Sequence, residues 1–173
     1  ALVEVQRRRR GWTGAIVTNP NCSTAILALT LAPLVDLGLK SVVVTTLQAV
    51  SGAGYPGVPS MDILGNVIPY IPGEDAKLEH EARKILGRAS DGRVDLHGVV
   101  MSAQATRVAV PNGHTMTVSV GLESQVALED VRQAFLDFRP RFNQVGLPSS
   151  PWRLLSLFDE EARPQPRLDA SLG

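Results

Sequence analysis

The chain has 173 residues, enough to bury a core of its own, and reads as one domain spanning 1-173. Its 17 basic and 17 acidic side chains cancel, so no global field draws it to nucleic acid or to a membrane surface. One cysteine excludes an intramolecular disulfide, and no apolar run nears the roughly 20 residues of a spanning helix, so a free thiol and a cytoplasmic setting are the default expectations.

In chain order, Ala1 to Arg10 reads as the end of a helix, with basic residues in its last turn and Gly11 as its stop. Arg7 to Arg10 suit the negative end of the helix dipole. No aromatic interleaving follows, so a solvated face is preferred to a nucleic-acid patch. "GAIVTN" (Gly14 to Asn19) reads as a short strand ended by Asn19, Pro20 and Asn21. Ser23 and Thr24 are candidate caps for a buried helix from about Ala25 to Leu37, bent at Pro33 and stopped at Gly38. "KSVVVTTLQAV" follows as a β-branched strand, and "SGAGYPGVP" as a glycine-proline loop.

"NVIPYIP" reads as an extended segment broken by proline. "GEDAKLEHEARKILG" reads as an amphipathic helix with Leu78, Ala82 and Ile85 inward and Gly87 as its stop. "GVVMSAQATRVAVPNGHTMTVSVGLES" reads as two strands joined in a hairpin at Asn112-Gly113. A third helix, "ALEDVRQAFLDF", places Leu128, Val131, Phe135 and Phe138 on one face, and "WRLLSLF" reads as a short strand before a proline-rich tail. The order of elements implies α+β: a mixed sheet with helices on one face.

Cys22 precedes a helix N-terminus, where the dipole stabilises a thiolate, yet a free cysteine is as readily a buried small hydrophobe. Of three histidines, His80 falls on a charged helix face and His97 in a turn, leaving His114 after the Asn-Gly turn as the candidate acid/base or a surface residue. A two-residue hairpin would pair His114 with Pro111 and put Arg107 on the same face, roughly 13 Å along the strand from it. Arg107 could then hold an anionic substrate, or pair with a carboxylate on the sheet. Glu74 and Lys77 read on spacing alone as a solvated ion pair. Gln48 carries no signal by itself, and Ser51 to Gly54 could offer backbone N–H groups to a phosphate. No metal site is expected.

"NPNCST", "TTLQAVSGAG", "NVIPYIPGEDAKLEHEARKILG" and "SAQATRVAVPNGHTMTVSV", in that order, resemble the catalytic and dimerisation domain of aspartate-β-semialdehyde dehydrogenase, most like its archaeal and fungal branch. The resemblance runs from about Gly11 to Asp169. It implies the C-terminal domain fold of the glyceraldehyde-3-phosphate dehydrogenase type, with a largely antiparallel sheet. It also implies reversible phosphorylating oxidation of L-aspartate 4-semialdehyde with NADP, toward lysine, threonine and methionine.

On that resemblance Cys22 is the nucleophile, His114 the acid/base, and Gln48 the group that orients the reacting carbon. Arg107 would grip the substrate α-carboxylate, Glu74 or Asp75 the ammonium, and Lys77 with Asn21 the phosphate. Ser51 and Gly52 would touch the cofactor, and a homodimer or higher homo-oligomer is implied. No Gly-x-x-Gly-x-x-Gly turn of the family's N-terminal Rossmann domain is present. The expectation is a truncated catalytic domain, inactive alone. The competing readings are an N-acetyl-γ-glutamyl-phosphate reductase-like domain, a cysteine hydrolase using Cys22, His114 and Gln48, and a non-catalytic dimerisation module.

Overall fold

The structure, a computed structural model, describes residues 2–90, 92–140, 148 and 154–172. Helix α1 (Leu2–Arg10) ends at Gly11, whose φ of 64° only a glycine adopts cheaply. Arg8, Arg9 and Arg10 face solvent, and the Arg10 guanidinium stacks 4.8 Å from the Trp12 ring. Gly14 to Asn19 form no strand, and Ile16 and Val17 are exposed. Among the described residues nothing offers that segment a ladder partner, and an unpaired strand does not persist.

Helix α2 (Cys22–Leu31) starts earlier than expected, because Asn21 and not Ser23 or Thr24 is its cap. Asn21 has φ −52° and ψ 142°, so its side chain folds back and Oδ1 accepts from Ser23 N at 3.0 Å and Thr24 N at 3.2 Å. Beyond Leu31 the chain tightens into a 3-10 turn, Ala32–Leu37, with Pro33 in its first turn. A proline in the first turn of the tighter helix fits there, and it marks the change of helix type. Gly38, at φ 81°, ends the turn as expected.

Strand β1 (Leu39–Gln48) alternates, with Leu39, Val42, Val44, Thr46 and Gln48 buried. After a short 3-10 turn at Val50–Ala53 come α3 (Ser60–Ile63), β2 (Val67–Ile68), α4 (Glu74–Ile85), β3 (Arg88–Ser90) and β4 (Arg93–Asp95). The chain closes with β5 (Val100–Val108), β6 (Thr115–Leu122), α5 (Leu128–Asp137) and α6 (Pro166–Asp169). In "WRLLSLF" the described part, Leu154 to Phe158, forms no strand, and Trp152 and Arg153 lie outside the described residues.

The main sheet has the order β2-β5-β1-β6, with β1 parallel to β5 and antiparallel to β6. It is a mixed sheet, as expected, but β5 and β6 are not a hairpin. β1, with its Val42-Val43-Val44 run, takes the centre and pairs with both. The Asn112-Gly113 turn therefore belongs to an arch that crosses two strand spacings, about 10 Å. The pairing of His114 with Pro111 and the 13 Å separation fall with the hairpin.

Helices α2 and α4 and the 3-10 turn pack on one face, around Leu27, Leu31, Leu34, Val42, Val44, Leu78, Ala82, Ala103 and Ala105. Ile85 is exposed, and Leu86 packs on the core in its place; Leu128 is exposed at the start of α5, where Val131 and Phe135 make the contact. No helix among the described residues is long and apolar enough to cross a membrane.

Candidate active site

The end of β1 builds one wall of the site. Val50 N donates to Val110 O at 2.8 Å and Ser51 N to Pro111 O at 3.2 Å, so the arch after β5 is tied across the end of β1. That tie brings His114 over Ala49, whose backbone N–H donates to His114 Nδ1 at 3.0 Å. The other ring nitrogen, Nε2, lies 3.2 Å from Cys22 Sγ at the first turn of α2. Residues 92 apart in the chain thus meet, and Cys22 is solvent-exposed, not a core hydrophobe.

Gly52 makes this convergence possible. A Cβ there would lie 2.9 Å from His114 Cε1, closer than a side chain can sit, and 3.0 Å from Arg107 Nη1, a tight contact. Arg107 and His114 therefore meet over one glycine and are not strung out along a strand. Burial first, and the Arg107 cation second, hold the His114 pKa below its ordinary 6.5, with Glu74 opposing.

Arg107 is 6% exposed and finds no ion-pair partner among the described residues. Its Nη1 donates to Ala49 O at 2.9 Å and more weakly to Gln48 Oε1 at 3.5 Å. A buried cation without a counter-ion is costly, so it marks a place for an anion. Gln48, 1% exposed, links this group to the acid opposite, donating from Nε2 to Thr46 Oγ1 at 3.3 Å and toward Glu74 Oε2 at 3.5 Å.

Glu74 is the hub on the α4 side. Its carboxylate accepts from Asn21 Nδ2 at 2.8 Å and from Lys77 Nζ at 3.1 Å. Burial pushes its pKa up, but the donors Lys77, Asn21 and Gln48 outweigh that and hold it below its ordinary 4.5. The Glu74–Lys77 pair is therefore no free solvated pair: the Glu74 side chain is 12% exposed and joins the Cys22 turn to Gln48. The exposed Lys77 amine is raised by its hydrogen bond to Glu74. Asp75 does not share these contacts; its Oδ1 is buried without a partner among the described residues.

The glycine loop does not present a phosphate cradle. Ser51 N serves Pro111 O, Gly52 N serves Ala49 O and Gly54 N serves Ser51 O, so three of its amides are spent internally. Asn21 likewise spends its side chain on capping and on Glu74. Residues that hold the site but escaped sequence reasoning are Ala49 and Glu81. Glu81 Oε2 accepts from Asn21 N at 3.0 Å, and its place seven residues after Glu74, on the same helix face, was the available sign.

The family described as "Semialdehyde dehydrogenase, dimerisation domain" matches residues 31–172. Aspartate-semialdehyde dehydrogenase of Archaeoglobus fulgidus is 47% identical over 172 residues, 99% of this chain and 49% of its own length. That of Methanothermobacter thermautotrophicus is 49% identical, over 99% of this chain and 50% of its own. A crystal structure of the Candida albicans enzyme with NADP superposes with a TM-score of 0.87 at 36% identity, covering 99% of this chain and 51% of that one. The chain spans about half the length of the curated relatives it matches. The fold and the four ordered motifs agree with the resemblance read from sequence, and the chain belongs to the semialdehyde dehydrogenase family through that family's dimerisation domain.

Proposed function

We propose that this chain is the catalytic and dimerisation part of an aspartate-semialdehyde dehydrogenase, working with NADP and phosphate on L-aspartate 4-semialdehyde in the cytoplasm. The observation that carries the reading is the 3.2 Å contact between Cys22 Sγ and His114 Nε2 beside buried Arg107, which has no ion-pair partner among the described residues. A nucleophile, an imidazole within hydrogen-bond reach of it and a fixed cation are what thioester chemistry on an aldehyde that carries a carboxylate needs. The relatives' names supply the reaction, and the Candida albicans enzyme, crystallised with NADP, supplies the cofactor.

In this reading Cys22 attacks the aldehyde carbon and His114 faces the oxygen that becomes charged. Arg107 binds the α-carboxylate in bidentate fashion, and Glu74, not Asp75, receives the ammonium. Gln48 holds Arg107 and Glu74 in register through its two amide ends. The exposed Lys77 supports the phosphate, with Asn21 acting through the α2 cap. Glu74 near the amine disfavours the reductase that takes an acylated amine. The described residues do not fit a dinucleotide cradle, since the glycine-loop amides are used, so Ser51 and Gly52 act at most as a wall toward the cofactor.

The partner is a second copy. The sheet face opposite the helices is uncovered, with Val43 59% and Val100 71% exposed beside Ser102, Gln104, Thr117 and Ser119. Two such faces meeting would bury both valines and cover β1 and β5.

The test joins this chain to the remaining half of the Archaeoglobus fulgidus relative and measures phosphate-dependent NADPH formation from L-aspartate 4-semialdehyde. Turnover that vanishes in Cys22→Ser supports the reading. A folded, dimeric chimera with no Cys22-dependent turnover rejects it.

A further inference from the structure

The His114 ring has two partners, and one of them leaves no choice of role. Ala49 N–H can only donate, so Nδ1, 3.0 Å away, must be the lone-pair nitrogen. A neutral imidazole carries one proton, which then sits on Nε2, the atom 3.2 Å from Cys22 Sγ. Ala49 is fully buried, so releasing its N–H from His114 would leave a donor unpaired.

We infer that the Ala49 backbone amide is a positioning group that locks His114 as its Nε2–H tautomer, making the ring a hydrogen-bond donor to sulfur, and then to the substrate oxygen, instead of the base that deprotonates Cys22. For Nε2 to take the thiol proton, the ring would have to become an imidazolium, and its new Nδ1–H would point at the Ala49 N–H. The titratable and charged groups around the ring are Cys22 from α2, Arg107 from β5 and Glu74 from α4, with Asp169 lining the cavity on its other side. Burial first and Arg107 second disfavour an imidazolium, and Glu74 only partly offsets them.

The role in turnover rests on the function proposed above, whereas the tautomer does not. The Cys22 thiol gives its proton to solvent, to which it is exposed, and in the addition step the sulfur lone pair of the resulting anion forms the S–C bond while the carbonyl π pair moves to oxygen. The resulting alkoxide accepts from Nε2–H, and no proton changes hands. A neutral imidazole that stabilises charge without giving up its proton is a known electrophilic role for histidine.

The experiment is nitrogen NMR of the whole chain with ¹⁵N-labelled histidine, with His114 assigned by the signal missing in His114→Gln. The expected spectrum at neutral pH shows His114 protonated at Nε2 and bare at Nδ1, with coupling from the Ala49 amide to Nδ1. A proton on Nδ1, or on both nitrogens, overturns the inference. Ala49→Pro is the second arm: Ala49 has φ −65°, so the backbone admits proline, which removes the N–H and sets its ring Cδ toward Nδ1, while Ala49→Gly keeps that N–H. Ala49→Pro should release His114 from its fixed orientation and slow Cys22 alkylation at pH 7 roughly tenfold or more, the scale of one hydrogen bond to a charged group, while Ala49→Gly should not. Alkylation unchanged by a folded Ala49→Pro counts against the inference, and if that variant misfolds the wild-type spectrum decides alone. A confirmed tautomer with an inactive chimera would sink the proposed function and leave this inference standing.

Discussion

Glu74 Oε2 lies 2.8 Å from Asn21 Nδ2, joining the first turn of α4 to the cap of α2 and so setting where Cys22 sits. Glu81 holds the same residue by its backbone N–H. The nucleophile is thus positioned by a helix that does not carry it.

That relationship makes Asn21 worth more than a cap. Asn21→Ala should cost about 2–3 kcal/mol of folding stability in denaturant titration, the sum of a lost cap and a lost hydrogen bond to the Glu74 carboxylate. Asn21→Asp keeps the capping oxygen but sets a carboxylate against Glu74. Because Glu74 is held below 4.5, the repulsion is present above that pH. The Asn21→Asp deficit should shrink steeply as pH falls through the Glu74 range, and the Asn21→Ala deficit less, because that variant loses only the Asn21 donor to the carboxylate and gains no repulsion.

Gly52→Ala tests the close approach at the site. The new methyl must displace His114 Cε1 or Arg107 Nη1, both rigidly held, at an overpacking cost of about 1–3 kcal/mol. Cys22 alkylation should slow as the imidazole moves away, whereas Gly54→Ala, with open space around its Cβ but φ 67°, should strain the loop and spare the Cys22–His114 contact. Equal effects of the two on alkylation would refute the packing argument.

His114 gives folding a pH signature. Its pKa is lowered in the folded chain, so the unfolded chain binds the proton more readily. The stability this confers is present above the unfolded value of about 6.5 and is lost as pH falls below it. Denaturation midpoints of the wild type should drop more between roughly pH 7.5 and 5.5 than those of His114→Gln. Parallel profiles would show that the ring titrates freely.

Arg107→Leu separates stability from function. Removing a buried cation that has no counter-ion among the described residues is favourable, but it leaves Ala49 O without its donor, a loss of about 1–3 kcal/mol, so the two effects offset within about 1 kcal/mol. Binding should not be spared. L-Aspartate 4-semialdehyde should protect Cys22 from iodoacetamide in the wild type and fail to do so in Arg107→Leu.

Val43→Glu probes the uncovered sheet face. Its side chain points away from the helices, so the monomer should keep its fold while sedimentation shifts from dimer to monomer. A dimer that survives the charge would place the interface elsewhere.

By itself, the sequence determined the elements whose cause is local. The Gly11 and Gly38 stops, the β-branched strand β1 and the Leu78–Ala82 stripe of α4 each depend on a handful of neighbouring residues, and each stands in the structure. The ordered motifs also carried the family. The tertiary structure alone decided what depends on competition between distant segments. Asn112-Gly113 favours a turn in any context, but which strand fills the centre is settled by which pairing buries the most apolar surface. β1 won, so the turn became an arch and carried His114 over Ala49 to Cys22. Arg107 became a buried cation, and Glu74 a hub, by the same long-range choice. Periodicity reports a residue's own helix or strand, and these sites are made between them.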